Sequence, residues 1–221
     1  AITHALHTGE EWIFRNPKIV LSLVLAVTIL FSMALPSLRV FTDFADLLPQ
    51  NHGYIKVYNR LKENFGGANM IVMSVEVEKG TIFNDETLQL IHEATQGVDN
   101  LPSVNHNLVS SLTHRTARKV FLDDQGGFAS ESYYDPLKPK RTVAELEQLK
   151  QDVIANPTIY GLLVSPDMKA ALIKAQMNEG SIDYPATFAA LQQVRETLAK
   201  PGHKIYVTGN PVLTGWVYTY L

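Results

Sequence analysis

"NMIVMSVEVE" (69–78) is the stretch on which the fold turns. Val, Ile and Met dominate its first half, with no charge, as expected of a strand in the middle of a sheet. Ser74, Glu76 and Glu78 then alternate outward. Lys79-Gly80 turns the chain. "NDETLQLIHEATQGV" (84–98) follows, a helix capped by Asn84 with Leu88, Ile91 and Ala94 inward. "VNHNLVSSL" (104–112) reads as a weaker strand. Residues 113–141 read as an irregular insertion, in which "DDQGG" (123–127) is a turn joining two short strands.

In "RTVAELEQLKQDVIANP" (141–157), Thr142 and Glu145 form a capping box and Pro157 marks the end of the helix. "GLLVSPDMKAALIKAQM" (161–177) reads as two apolar strands around a Ser165-Pro166-Asp167-Met168 turn. "DYPATFAALQQVRETLAKPG" (183–202) is a helix burying Phe188, Leu191, Val194 and Leu198, and "KIYVTG" (204–209) is a last strand. Without the insertion and its helix, the order is strand, helix, strand, strand, helix, strand. This is the split βαβ, ferredoxin-like pattern of an α+β domain, with an antiparallel sheet and both helices on one face. The extra strand near 161–165 has no place in it.

Upstream lies "IVLSLVLAVTILFSMALPSL" (19–38), twenty residues without a charge. At about 1.5 Å per residue it predicts a transmembrane helix of roughly 30 Å. A secretory signal peptide is the rival reading, with Arg15 and Lys18 as its charged region and Ser32-Met33-Ala34 as its cleavage site. The run is longer than the usual ~7–15 apolar residues of such a peptide. Arg15 and Lys18 before the run, against Arg39 after it, place residues 1–18 as a cytoplasmic or interfacial segment. Residues 39–209 then form the periplasmic domain. In "NPVLTGWVYTYL" (210–221) the uncharged, aromatic-rich run predicts the truncated start of a second transmembrane helix, with a C-terminal helix docked on the domain as the rival reading.

After the first run comes "FTDFADLLPQNHGY" (41–54). Asp43 and Asp46 resist hydrocarbon at about 2.5–3.5 kcal/mol each, Leu47 and Leu48 pack at the interface, and Pro49 stops the helix, so the segment marks the exit from a membrane. "YIKVYNRLKENFGG" (54–67) continues as a helix with Tyr54, Val57, Tyr58, Leu61 and Phe65 on one face.

The 221 residues carry a net charge of −3 and no cysteine. Nucleic acid is not an expected partner, and disulfides and thiolate metal sites are excluded. His4 and His7 lack a third ligand, so no metal is expected. There is no P-loop, GxSxG, HExxH or dinucleotide fingerprint, and the chain reads as a non-enzyme without cofactor. Met70 and Met73, with Phe65 and Tyr160, are adaptable or amphipathic groups suited to a lipid groove; plain core packing is the competing reading.

Asp43, Asp46, Leu47, Leu48 and Pro49, then Tyr54 and Phe65-Gly66, then "GLLVSPDMKAALI" and "VTGNPVL", resemble the N-terminal part of a resistance–nodulation–division (RND) superfamily transporter. The likeness is to the lipid-handling branch of MMPL-like and hopanoid- or sterol-exporter-like proteins. It implies the N-terminal portion of a proton-driven inner-membrane exporter of lipids or other amphiphiles, with a ferredoxin-like porter domain in the periplasm. It also implies the lipid bilayer and an amphiphile as partners, together with self-association or periplasmic and outer-membrane proteins. The proton-coupling residues would lie outside this chain. A secreted or membrane-anchored lipid-binding module without transport activity is the alternative.

Overall fold

A computed structural model of the chain describes residues 14–34, 49, 51–57, 60, 69–123, 126–138, 140–178 and 182–220. The chain divides into two compact units, Ala1–Ile55 and Lys56–Leu221. In the first unit, helix α1 spans Pro17–Ala34. Leu21, Leu25, Leu30 and Phe31 are all exposed on it, and Thr28 Oγ1 donates to the Val24 carbonyl at 2.8 Å. This helix corrects the first membrane-spanning expectation. Among the described residues no helix is long and apolar enough to cross a membrane. Lys18 occupies the first turn, so the uncharged part runs from residue 19 to 34. Those residues rise roughly 24 Å at about 1.5 Å each, short of the ~30 Å hydrocarbon layer. Residues 35–38 of the expected span lie outside the described residues.

The second unit is an α+β domain. Its principal sheet takes β1 (Met70–Val77), β2 (Val104–Ser110), β5 (Ala170–Met177) and β6 (His203–Gly209) in the order β2-β5-β1-β6. Every neighbouring pair is antiparallel, with Ser74 opposite both Leu172 and Tyr206. Helices α2 (Asp85–Asp99) and α4 (Tyr184–Thr197) supply the crossovers. The strand and crossover order is the split βαβ arrangement.

Alternation along the strands selects the covered face. Ile71, Met73, Val75 and Val77 of β1 and Ala171, Ile173, Ala175 and Met177 of β5 are buried. They pack with Leu88, Ile91, Ala94 and Val98 of α2 and Phe188 and Leu191 of α4 in one core cluster. The opposite face, with Val72, Ser74, Glu76, Leu172 and Lys174, is only half-buried. Strand β1 is central, yet it alternates along its whole length, because helices cover one face only.

The helix ends follow local chemistry. Asn84 Oδ1 accepts from the Thr87 N–H at 2.8 Å to start α2. The capping box expected at Thr142 and Glu145 is formed at the start of α3 (Val143–Ala155). Strands β3 (Arg118–Leu122) and β4 (Phe128–Ser132) make a separate two-stranded hairpin around the turn at 123–127. Residues 160–164 make only isolated bridges, Tyr160 with Val164 and Val164 with Ala171, so the extra strand is not a strand.

Helix α5 (Asn210–Tyr220) corrects the second membrane-spanning expectation. It is an 11-residue helix packed on α4, with Pro211, Val212 and Gly215 buried. Glycine is required at the crossing: a Cβ at Gly215 would lie 2.3 Å from the Tyr184 carbonyl oxygen. Asn210 Nδ2 donates to Asn69 Oδ1 at 2.7 Å, tying the start of α5 to the start of β1.

Candidate functional site

Of the residues proposed as a lipid groove, the described ones, Met70, Met73 and Tyr160, are not brought together. Met73 is fully buried in the core, whereas Met70 lies on the opposite face of β1 and is partly exposed. Tyr160 donates its hydroxyl to the Pro166 carbonyl at 3.3 Å, beside the turn that leads into β5. Phe65 lies outside the described residues, as do Asp43, Asp46, Leu47 and Leu48. Pro49 is exposed, and its carbonyl accepts from the His52 N–H at 2.9 Å.

What the fold does build is a cleft of about 740 Å³ between the β3–β4 hairpin and α3. Its lining includes Phe121, Tyr133, Ala155 and Pro157 on the apolar side and Lys119, Glu131 and Asp152 on the polar side. The two-residue period of β3 points Lys119 and Phe121 toward one side of the ribbon and Arg118, Val120 and Leu122 toward the other. Lys119 Nζ bridges Asp152 Oδ2 at 2.8 Å and Glu131 Oε1 at 2.5 Å, which identifies the first side as the one facing α3. Burial works to lower the Lys119 pKa, but the hydrogen bonds it donates to Asp152 and Glu131 outweigh it and raise the pKa. Gln148 Nε2 donates to Asp152 Oδ1 at 2.8 Å, and Asn156 Nδ2 donates to the Tyr133 hydroxyl at 2.9 Å. Away from the cleft the ribbon exposes Leu122 and Phe128, the latter 86% accessible.

The segment that follows the hairpin is pinned to α2. Arg141 Nη1 binds Asp85 Oδ1 at 3.0 Å, and its guanidinium sits 4.4 Å from the centroid of Tyr134. The Tyr134 hydroxyl donates to Gln89 Oε1 at 2.6 Å. A bond from the Arg141 backbone N–H is the largest cause holding the Asp85 carboxyl below its ordinary range.

A second polar cluster was not visible in the sequence. Asp99, the last residue of α2, lies 2.9 Å from His106 Nδ1 and 3.7 Å from His114 Nε2. Beside it Thr95 donates to the Ile91 carbonyl at 2.7 Å and shares a hydrogen bond with the Ser111 hydroxyl at 2.8 Å. His114 is buried, and desolvation, partly offset by Asp99, lowers its pKa. Its Nε2 has no hydrogen-bond partner among the described residues. Spacings of 7 and 8 residues carry no ligand signature; only the return of β2 past the end of α2 joins them. Among the described residues no group of three or more His, Cys, Asp or Glu is placed to hold a metal ion.

By fold the chain is thus an α+β protein whose split βαβ domain carries an inserted hairpin and helix. No family model matches the chain, and no curated protein matches it significantly.

Proposed function

We propose that this chain is the N-terminal portion of an RND-type exporter that passes lipids or other amphiphiles through its α+β domain. The domain would stand on the periplasmic side of the bacterial inner membrane, with the bilayer and the amphiphile as its partners. One observation carries the reading: α1 exposes apolar side chains around its whole circumference, from Ile19 to Met33. Soluble surfaces rarely leave so much contiguous apolar area to water, and such area marks contact with lipid or protein. The split βαβ topology and a cleft with one apolar and one charged wall support the same reading. Helix α1 has no titratable group beyond Lys18, so proton coupling in this proposal belongs to residues outside the chain.

The test is to extract the protein from its native cells in mild detergent, identify co-purifying amphiphiles by mass spectrometry, and reconstitute it in vesicles under an imposed pH gradient. The expected result is a lipid-like molecule that co-purifies and crosses the vesicle wall with the gradient. A molecule that binds but does not move reduces the protein to a lipid-binding module without transport. Absence of any bound amphiphile refutes both.

A further inference from the structure

We propose that His114 is an acid-operated latch on the strap 113–117, which links the β2 end of the sheet to the β3–β4 hairpin. Uncharged, the ring holds the strap against the end of α2. A proton taken from solvent at Nε2 frees the strap while the four-stranded sheet stays paired. The latch operates whether or not the chain handles an amphiphile.

Side chains, not a strand ladder, hold the strap. Residues 113–117 belong to no strand. Thr113 Oγ1 lies 3.2 Å from Thr95 Oγ1, and the Arg115 guanidinium donates to the His106 carbonyl at 3.3 Å. Between them His114 makes the deepest contact, its side chain 1% accessible. Leu112, fully buried, gives the strap a fixed base.

The neutral ring carries its proton on Nδ1. Thr116 Oγ1 gives its only hydrogen to the Val109 carbonyl at 2.8 Å, so at 2.8 Å from Nδ1 it accepts from the ring. The Thr116 N–H also approaches Nδ1, at 3.4 Å, but the shorter contact sets the tautomer. Nε2 therefore turns a lone pair toward Asp99 Oδ2 at 3.7 Å, acceptor to acceptor and beyond hydrogen-bond reach.

A proton at Nε2 makes a buried cation. Asp99 attracts it, but through Oδ1 that carboxylate already pairs with His106 at 2.9 Å, so one negative charge serves two imidazoles. Arg115, the next residue, repels it. Desolvation is the largest of these effects, and it holds His114 below its ordinary pKa. The charged ring is better placed in water, and the strap is the part short enough to carry it there without opening the sheet.

The experiment is hydrogen exchange on the full chain at pH 7.5 and 5.5, with each rate divided by the intrinsic rate at that pH, and repeated at low urea concentrations. The His114 and Ala117 amides, bonded to the Ser111 and His114 carbonyls at 3.1 and 3.0 Å, report the strap. Their protection should fall up to about ten-fold at pH 5.5, the ceiling for a ring that titrates near 6.5 once it reaches water. That exchange should hardly respond to urea, because a local opening exposes little surface, whereas exchange from β1 and β5 should respond steeply. An NMR titration of the His114 ring should give a midpoint below about 6.5. His114→Gln, which cannot be charged, should keep the strap shut at both pH values, and His106→Gln should keep the response. Asp99→Asn should raise the pH at which the strap opens, and Arg115→Gln should lower it.

A rise in strap protection at pH 5.5 means that the proton clamps the strap to Asp99 and overturns the latch. So does strap exchange with the protection and urea dependence of β1, which leaves only global unfolding, or an acid response that survives His114→Gln. If the glutamine variant does not fold, a ring midpoint at or above about 6.5 in the unsubstituted chain refutes the latch by itself.

Discussion

Replacing Gly215 by alanine probes the seat of the C-terminal helix. A methyl there would meet the Tyr184 carbonyl oxygen at 2.3 Å and Phe188 Cβ at 2.6 Å. Comfortable carbon contacts begin near 3.5 Å, so α5 must retreat from α4 by about 1 Å. The carbonyl belongs to the first turn of α4 and moves only if that turn moves. Overpacking of this kind costs about 1–3 kcal/mol, and a rigid backbone neighbour places it near the top of that range. Alanine in place of glycine returns about 1 kcal/mol of helix propensity. The net expectation is a loss of about 2 kcal/mol, or roughly 4–8 °C in Tm for a chain of this size. Trp216 is the neighbouring residue in the same helix, so with Trp12 replaced by Phe its fluorescence during thermal unfolding reports the seat. If Gly215→Ala is neutral or stabilising, α5 is not docked on α4, and the account of residues 210–220 as a packed helix is wrong.

The other expectations concern separate joints. Gly209→Ala combines a φ of +123° with a methyl 2.1 Å from the Met70 carbonyl oxygen, so it should cost more than about 2 kcal/mol and speed amide exchange along β1 and β6. Arg141→Met strands Asp85 and uncovers Tyr134, for a loss of about 2 kcal/mol in urea unfolding, and an unchanged midpoint would count against the pin. Because Asp85 is depressed in the folded chain, its share of stability is present above about pH 3.9 and is lost as pH falls through its folded pKa. His114 is depressed by burial, so the unfolded chain binds its proton first; stability should fall as pH drops below about 6.5, and His114→Leu should flatten that slope between pH 7 and 5. Thr142→Ala removes the cap from α3 and should cost about 1 kcal/mol; a melt that does not shift would show the capping box idle.

Local chemistry was legible in the residues themselves. The Asn84 and Thr142 caps and the turn at 123–127 depend on neighbours within a few positions, and each is where the sequence puts it. Anything set by length or by distant packing was not. The uncharged run from residue 19 read as long enough to cross a bilayer, but the described helix ends at Ala34. The C-terminal aromatic run leaves a membrane segment and a docked helix both open, because nothing local shows that Gly215 fits against the Tyr184 carbonyl. The groove was misjudged for a simpler reason. Met70 and Met73 are three apart on a strand, and odd spacing sends side chains to opposite faces. The cleft itself joins residues 118–133 to residues 152–157, and no periodicity links an inserted hairpin to the helix that follows it.

The Asn69–Asn210 clasp has one more consequence. It closes a loop of the polypeptide at its base, since Ile71 and Gly209 are already register partners one step further in. The chain therefore enters and leaves the sheet at two points that already touch, while Val212 of α5 completes the core from outside the loop. Tension applied at these two ends would peel β1 from β6 one rung at a time, and Gly209 would be the first rung to part.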